Sequence, residues 1–224
     1  MSDLVVFDVD GTLLDGYMQR AFLSFVRRKG LIGAGPYFRI LAWFVLYRLG
    51  VSRDPRRIMR YAFGFLRGRR LEDVEALAAE CFGRGLESRL YADALRILAQ
   101  HVHAGRHIVL LSTVPELLVR PLGERLGTDV IGTRLECRDG VLTGRIDGPV
   151  LTGALKLAAL QAYLRTHRPA RTFGYGNDAS DVEFLSRVDC PHAVNPDRVL
   201  ACAAERHHWP VLHFDALGGV EGAR

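Results

Sequence analysis

Two carboxylates, Asp8 and Asp10, stand two positions apart where the apolar run Leu4-Val5-Val6-Phe7 gives way to Gly11-Thr12. Acids so placed can divide the chemistry of a phosphate ester between them, one attacking and the other moving a proton. The run itself reads as a short buried strand, because continuous apolar sequence ended by Asp and Gly suits the middle of a parallel sheet. The acids then lie at the carboxyl end of that strand, where open α/β sheets bind ligands. Side chains alternate along a strand, but a turn at Gly11 lets the backbone curl so that both carboxylates address one space. The plainer alternative, two acids opening a surface loop, also fits a turn.

Three further stretches weigh against that alternative. His107-Ile108-Val109-Leu110-Leu111 reads as a strand ending in Ser112-Thr113, with Pro115 suited to the first turn of a helix over Leu117 to Leu126. A hydroxyl and free backbone N–H groups there can dock a phosphate, and Ser112 or Thr113 can also simply cap the helix. Lys156 falls in a helix over Leu155 to Thr166, for which Thr152 is the expected cap. Thr172-Phe173-Gly174-Tyr175-Gly176-Asn177-Asp178-Ala179-Ser180-Asp181 is again strand, glycine turn and a cluster of oxygen ligands. Hard cations such as Mg²⁺ favour such oxygens, and Asp178 with Asp181 can equally cap the helix that follows.

With these four motifs in this order, the sequence resembles the haloacid dehalogenase (HAD) superfamily of phosphohydrolases, in its phosphoserine-phosphatase-like branch (subfamily IB). The resemblance spans Leu4 to about Phe214 and includes Asp139-Gly140 and His192-Ala193-Val194-Asn195-Pro196-Asp197. It implies an aspartyl-phosphate mechanism: Asp8 the nucleophile, Asp10 the general acid and then base, Ser112 holding a phosphate oxygen, and Lys156 tying nucleophile and phosphate together. Gly11, Thr12 and Thr113 join the phosphate-binding set. Mg²⁺ would bind a carboxylate oxygen of Asp8, the backbone carbonyl of Asp10 and the loop of Asn177, Asp178 and Asp181. Relatives commonly carry Gly-Asp where this chain has Gly176-Asn177, so Asn177 offers a neutral amide oxygen or cedes the contact to Asp178.

At 224 residues the chain can bury a full core with an insert. The fold expected is α/β, a Rossmann-like doubly wound parallel sheet with an inserted all-helical cap: residues 1–15 and 96–214 as core, 16–95 as cap and 215–224 as a flexible tail. Strands are expected near His107 to Leu111, Val130 to Ile131, Thr172 to Tyr175, His192 to Val194 and Pro210 to Phe214, with a hairpin at Asp139-Gly140. The cap shows helical periodicity broken at Gly30 to Pro36, Gly50 to Pro55 and Gly68. Four cysteines without paired metal spacing, and no cleavable signal ahead of the first strand, point to a reducing cytoplasm.

Charge is distributed unevenly. Gly16 to Arg70 holds 13 basic residues against Asp54 alone, a net of +12, while the whole chain is +5. Such asymmetry addresses an anionic partner. Within it, Pro36 to Leu49 is an aromatic and apolar helix whose Arg39 and Arg48 fall on opposite sides, too short to span a bilayer. A helix apolar all round is expected in the core; the sharper reading sets it in an anionic membrane surface at the inner face of the membrane. No nucleic-acid motif accompanies the charge. The function expected is therefore Mg²⁺-dependent hydrolysis of an anionic phosphomonoester. A lipid phosphate such as phosphatidylglycerophosphate is in view, because relatives of the phosphatidylglycerophosphatase C type act on lipid phosphates. The alternatives are a phosphatase of a small soluble, phosphoserine-like metabolite and a non-catalytic anion- or membrane-binding module.

Overall fold

The structure, a computed structural model, describes residues 2–48, 59 and 61–215, and the side chains of all of these but 44–48. The readings made at the side chain of Arg48 and at Leu49, Gly50 to Pro55, Arg56, Arg57 and Arg60, and in the tail beyond Asp215, lie outside what is described.

Strand β1 (Leu4–Phe7) is buried along its whole length. It pairs in parallel with β2 (His107–Pro115) on one side and β5 (Thr172–Gly176) on the other, Phe7 lying opposite Leu110 and Tyr175. Alternation along β1 and β2 sends Val5, Phe7, Ile108 and Leu110 into one hydrophobic core and Leu4, Val6, Val109 and Leu111 into a second. Both faces of the sheet are therefore covered, and a continuous apolar run is what such a strand needs. With β3 (Asp129–Arg138), β4 (Val141–Asp147), β6 (Cys190–Val194) and β7 (Val211–Leu212), the seven strands run in the order β4-β3-β2-β1-β5-β6-β7. All neighbours are parallel except the β3–β4 hairpin, whose turn residues Asp139 and Gly140 have φ of 50° and 76°. Two successive positive φ values make the turn that matches strand twist.

The expected order of elements is present, with corrections at their ends. Strand β2 continues past Leu111 to Pro115, with an irregular register against β3, and Pro115 sits at the cap of helix α5 (Glu116–Leu126) instead of in its first turn. Neither Ser112 nor Thr113 caps that helix. Thr152 does not cap helix α6 (Ala154–His167); Gly153 holds that place with φ of 53°. Strand β7 is shorter than Pro210 to Phe214.

Between β1 and β2 lie helices α1 (Met18–Arg28), α2 (Ala34–Arg48) and α3 (Leu71–Cys81), a wide turn at Phe82–Leu86, and α4 (Ala92–His103). Helix α4 runs unbroken across residue 95 and packs on β2. Helix α2 lays Ile40 in the core with Tyr37 and Leu41 against it, while Phe38 is 65% exposed and Arg39 and Ala42 face solvent. Over its described side chains the expectation that it is buried all round fails, because Phe38 and Ala42 stand outside the core that takes Ile40. The hairpin clasps the segment ahead of α3 through the Gly68 N–H to the Leu142 carbonyl, the Leu142 N–H to the Arg69 carbonyl and the Leu71 N–H to the Gly140 carbonyl, at 2.8, 2.9 and 2.8 Å.

Candidate active site

Parallel pairing aligns the carboxyl ends of β1, β2 and β5, and the residues just past those ends meet. The N–H of Asp8 donates to the Tyr175 carbonyl at 2.9 Å, which fixes the start of the β1 loop beside the β5 loop. Gly11, at φ of 83°, lies so close to Asn177 that a Cβ there would come within 2.1 Å of its Nδ2. Only glycine meets both demands. Its N–H turns inward to the Leu14 carbonyl at 2.8 Å, and that of Thr12 to the Val9 carbonyl at 3.3 Å, so both residues shape the loop. The Thr12 hydroxyl donates to Asp8 Oδ2 at 3.2 Å.

Lys156, in the first turn of α6 and 1% exposed, reaches into this space. Its Nζ donates to Asp8 Oδ1 and to Asp181 Oδ1, each at 2.6 Å. Burial opposes its charge, but the carboxylates of Asp181 and Asp8 outweigh this and hold its pKa above the usual Lys range. Burial raises the pKa of Asp8 and of Asp181, with Lys156 opposing in each case. Burial pushes Asp10 up to about 7, although the Met18 N–H donating to its Oδ1 at 3.0 Å pulls the other way. An acid poised near neutrality suits proton transfer in both directions.

Asp181 is fully engaged. Its Oδ1 accepts from Lys156 and its Oδ2 from the N–H groups of Asn177 and Asp178, at 2.8 and 3.3 Å. Asp178 in turn accepts from Ser180 N and Oγ on one oxygen, completing a capping box. The charge of Asp178 bears on Asp8, Asp10 and Asp181 alike, raising all three. Ser112 is buried at the end of β2, its Oγ accepting the Val114 N–H at 3.2 Å. The Thr113 hydroxyl turns away and donates to the Leu151 carbonyl at 2.6 Å. The structure thus gathers Asp8, Asp10, Gly11, Thr12, Ser112, Lys156, Asn177, Asp178 and Asp181 at one sheet end, with Thr113 beside them but its hydroxyl spent elsewhere.

Sequence reasoning missed Arg89. Its guanidinium lies against Gly16, where a Cβ would come within 2.4 Å of Nη2, and its charge acts on Asp10. It stands almost 80 residues along the chain from Asp10, so no local pattern joins the two.

Known proteins resemble this chain in sequence and in fold. The profile of the haloacid dehalogenase-like hydrolase family matches residues 5–186. The inhibition of morphological differentiation protein of Streptomyces azureus is 34% identical over 217 residues, covering 93% of this chain and 77% of that one. The phosphoserine phosphatase SerB1 of Mycobacterium tuberculosis is 28% identical over 220 residues, covering 93% and 70%. A solved phosphoserine phosphatase structure, a phospho-aspartyl intermediate analogue, superposes with a TM-score of 0.68 at 19% identity, over 94% of this chain and 93% of that one.

Proposed function

The chain belongs to the haloacid dehalogenase-like hydrolase family and is an enzyme of its phosphatase type, and from that premise we propose that it hydrolyses a phosphomonoester in two steps at Asp8. In the first, an Asp8 oxygen attacks phosphorus, the ester P–O bond breaks, and protonated Asp10 gives its proton to the leaving alkoxide. An aspartyl phosphate results. In the second, Asp10 takes a proton from water, the water oxygen attacks phosphorus, and inorganic phosphate leaves as Asp8 is restored. The observation that carries this reading is a buried Asp8 held by Lys156 at 2.6 Å beside an Asp10 raised to about 7. Ser112 and Lys156 are the groups we assign to the phosphoryl oxygens.

The donor set fits Mg²⁺. Asp8, Asp10 and Asp178 concentrate negative charge around one lysine, and the charge of Asp178 raises the cost of ionising both Asp8 and Asp10. A carboxylate oxygen of Asp8, the backbone carbonyl of Asp10 and a side-chain oxygen of Asn177 or Asp178 would hold the ion. Asp181, with both oxygens taken, positions Lys156 and the loop. The bound cation supplies charge for the phosphoryl oxygens and keeps Asp8 ionised.

For organisation, we read the helical segment from residue 16 to the end of the Glu87–Arg89 turn as the cap and the rest as the core, moving the boundary from 95 to a point before α4 because that helix belongs to the sheet. For substrate, the finer reading is an anionic phosphomonoester, with a lipid phosphate supported by the +12 of Gly16 to Arg70 and by the exposed Phe38 on α2. No helix among the described residues is long and apolar enough to cross a membrane. The kinship with SerB1 favours the competing reading, a small soluble ester. Phosphate release should require Mg²⁺ and vanish in Asp8→Asn; undiminished release by that variant would refute the covalent mechanism. Binding to anionic vesicles that weakens with salt supports the lipid reading, and no binding at low salt refutes it.

A further inference from the structure

Helix α1 begins at Met18, whose N–H donates to Asp10, and one stripe of the helix leads away from that end. Arg20, Ser24 and Arg28 follow along it at intervals of four, spanning about 12 Å. Across from the stripe stands the chain from Cys81 to Arg89, and between them lies a cavity of about 620 Å³. Four arginines, Arg20, Arg28, Arg84 and Arg89, line this trough, and no carboxylate does. Arg84 is paired with Glu80. Among the described residues Arg20, Arg28 and Arg89 have no carboxylate within 4.0 Å. Like charges facing one cavity repel, and an anion between them relieves that repulsion. No carboxylate lines the trough to pair with an ammonium.

Resting on the phosphatase reading above, we infer that the leaving group of the substrate carries a second anionic group, a phosphate or phosphodiester a few atoms from the scissile ester, and no cation. Arg89, its Nη2 against Gly16 at the catalytic end, and Arg20, in the first turn of α1, receive that second anion. Guanidinium groups suit this task because their forked donors match phosphate oxygens. Arg28 and Arg84 extend the positive wall for longer leaving groups. The same chemistry occurs in soluble bisphosphates and in lipid headgroups that place a phosphomonoester next to a phosphodiester.

Three esters of equal length separate the possibilities: propyl phosphate, 3-aminopropyl phosphate and propane-1,3-diol bisphosphate, each assayed for phosphate release by the full chain with Mg²⁺. The bisphosphate should have the highest kcat/KM, by about tenfold over propyl phosphate and beyond the statistical factor of about two for a symmetric ester, and the aminopropyl ester the lowest. Arg20→Ala and Arg89→Ala should each cut the bisphosphate preference by about tenfold, chiefly through KM. Equal kcat/KM for the three esters would overturn the inference while leaving the phosphatase reading intact. Calorimetric binding of the bisphosphate to Asp8→Asn protein asks the same question without turnover. Affinity about tenfold weaker once Arg20→Ala is added supports the trough, and unchanged affinity overturns it. Absence of release from all three esters would thus count against Asp8 alone. A short-chain diacyl phosphatidylglycerol phosphate, compared with its deacylated headgroup, then identifies the source by the faster reaction.

Discussion

Lys156→Met removes the one cation shared by Asp8 and Asp181 while keeping a side chain of similar length to pack near Phe184, whose ring lies 5.5 Å from Nζ. Two buried carboxylates are left facing each other. Breaking a buried ion pair by deleting one partner costs about 3–5 kcal/mol, and here a single deletion strips two acids. The penalty depends on pH in a definite sense. An Asp whose folded pKa is raised binds more protons folded than unfolded, so its contribution is most favourable below the unfolded value of 3.8 and is lost as pH rises through the folded pKa. Without Lys156 both pKa values rise further, and the variant should lose stability relative to the parent as pH rises above the unfolded value of 3.8. Urea denaturation followed by circular dichroism, in chelator to exclude cations, measures this directly. Adding Asp181→Asn should return part of the loss, because it removes one of the two orphaned charges. A Lys156→Met protein within about 1 kcal/mol of the parent at pH 8, with the same pH profile, would refute the account of the site as a lysine-bridged acid pair.

Three other outcomes follow from the geometry. Asp10→Asn should lower phosphate release by about 10²–10⁴ and do so mainly in kcat, measured against the parent at saturating Mg²⁺. Gly11→Ala, at φ of 83° and with its new methyl 2.1 Å from Asn177 Nδ2, should displace that side chain, cost about 1–2 kcal/mol in melting experiments and raise the Mg²⁺ concentration needed for activity. His101 is buried against Tyr175, whose hydroxyl lies 2.8 Å from Nε2, and burial with the nearby Arg106 lowers its pKa from 6.5 to about 4. The unfolded chain therefore takes the proton first, so up to about 3 kcal/mol of stability present above pH 6.5 is lost as pH falls towards 4, and His101→Gln should flatten that dependence.

The catalytic end of the sheet was legible because its signals are local. An apolar run ended by Asp, a two-residue gap to a second Asp, and a glycine turn lie within eight residues, and Asp139-Gly140 announces its own hairpin. Helix starts were less legible. Pro115 and Gly153 occupy cap positions where no side chain supplies a bond, so the search for a hydroxyl at Ser112, Thr113 or Thr152 pointed to the wrong residue. The motif that makes Asp181 a candidate metal ligand gives no sign of its hydrogen bonds to Lys156 and to the Asn177 N–H, which only the three-dimensional structure brings out. Helix α2 has too little polar contrast for sequence to tell its inner side from its outer one. The trough was invisible for another reason: Arg20 and Arg89 come from segments whose meeting depends on the packing of α1 against the turn after α3.

The clasp between the β3–β4 hairpin and the segment from Gly68 to Leu71 is made of main-chain groups alone. Such bonds do not depend on which side chains flank them. Exchanging the arginines that line the trough one by one therefore leaves these three bonds untouched. Side chains add to the hold, Arg120 pairing with Glu75 and Arg125 with Glu87, but none of the trough arginines takes part in these pairs. On the inference drawn above, a lineage that keeps Asp8, Asp10 and Lys156 would thus move between leaving groups by small substitutions along α1 while the clasp stays as it is.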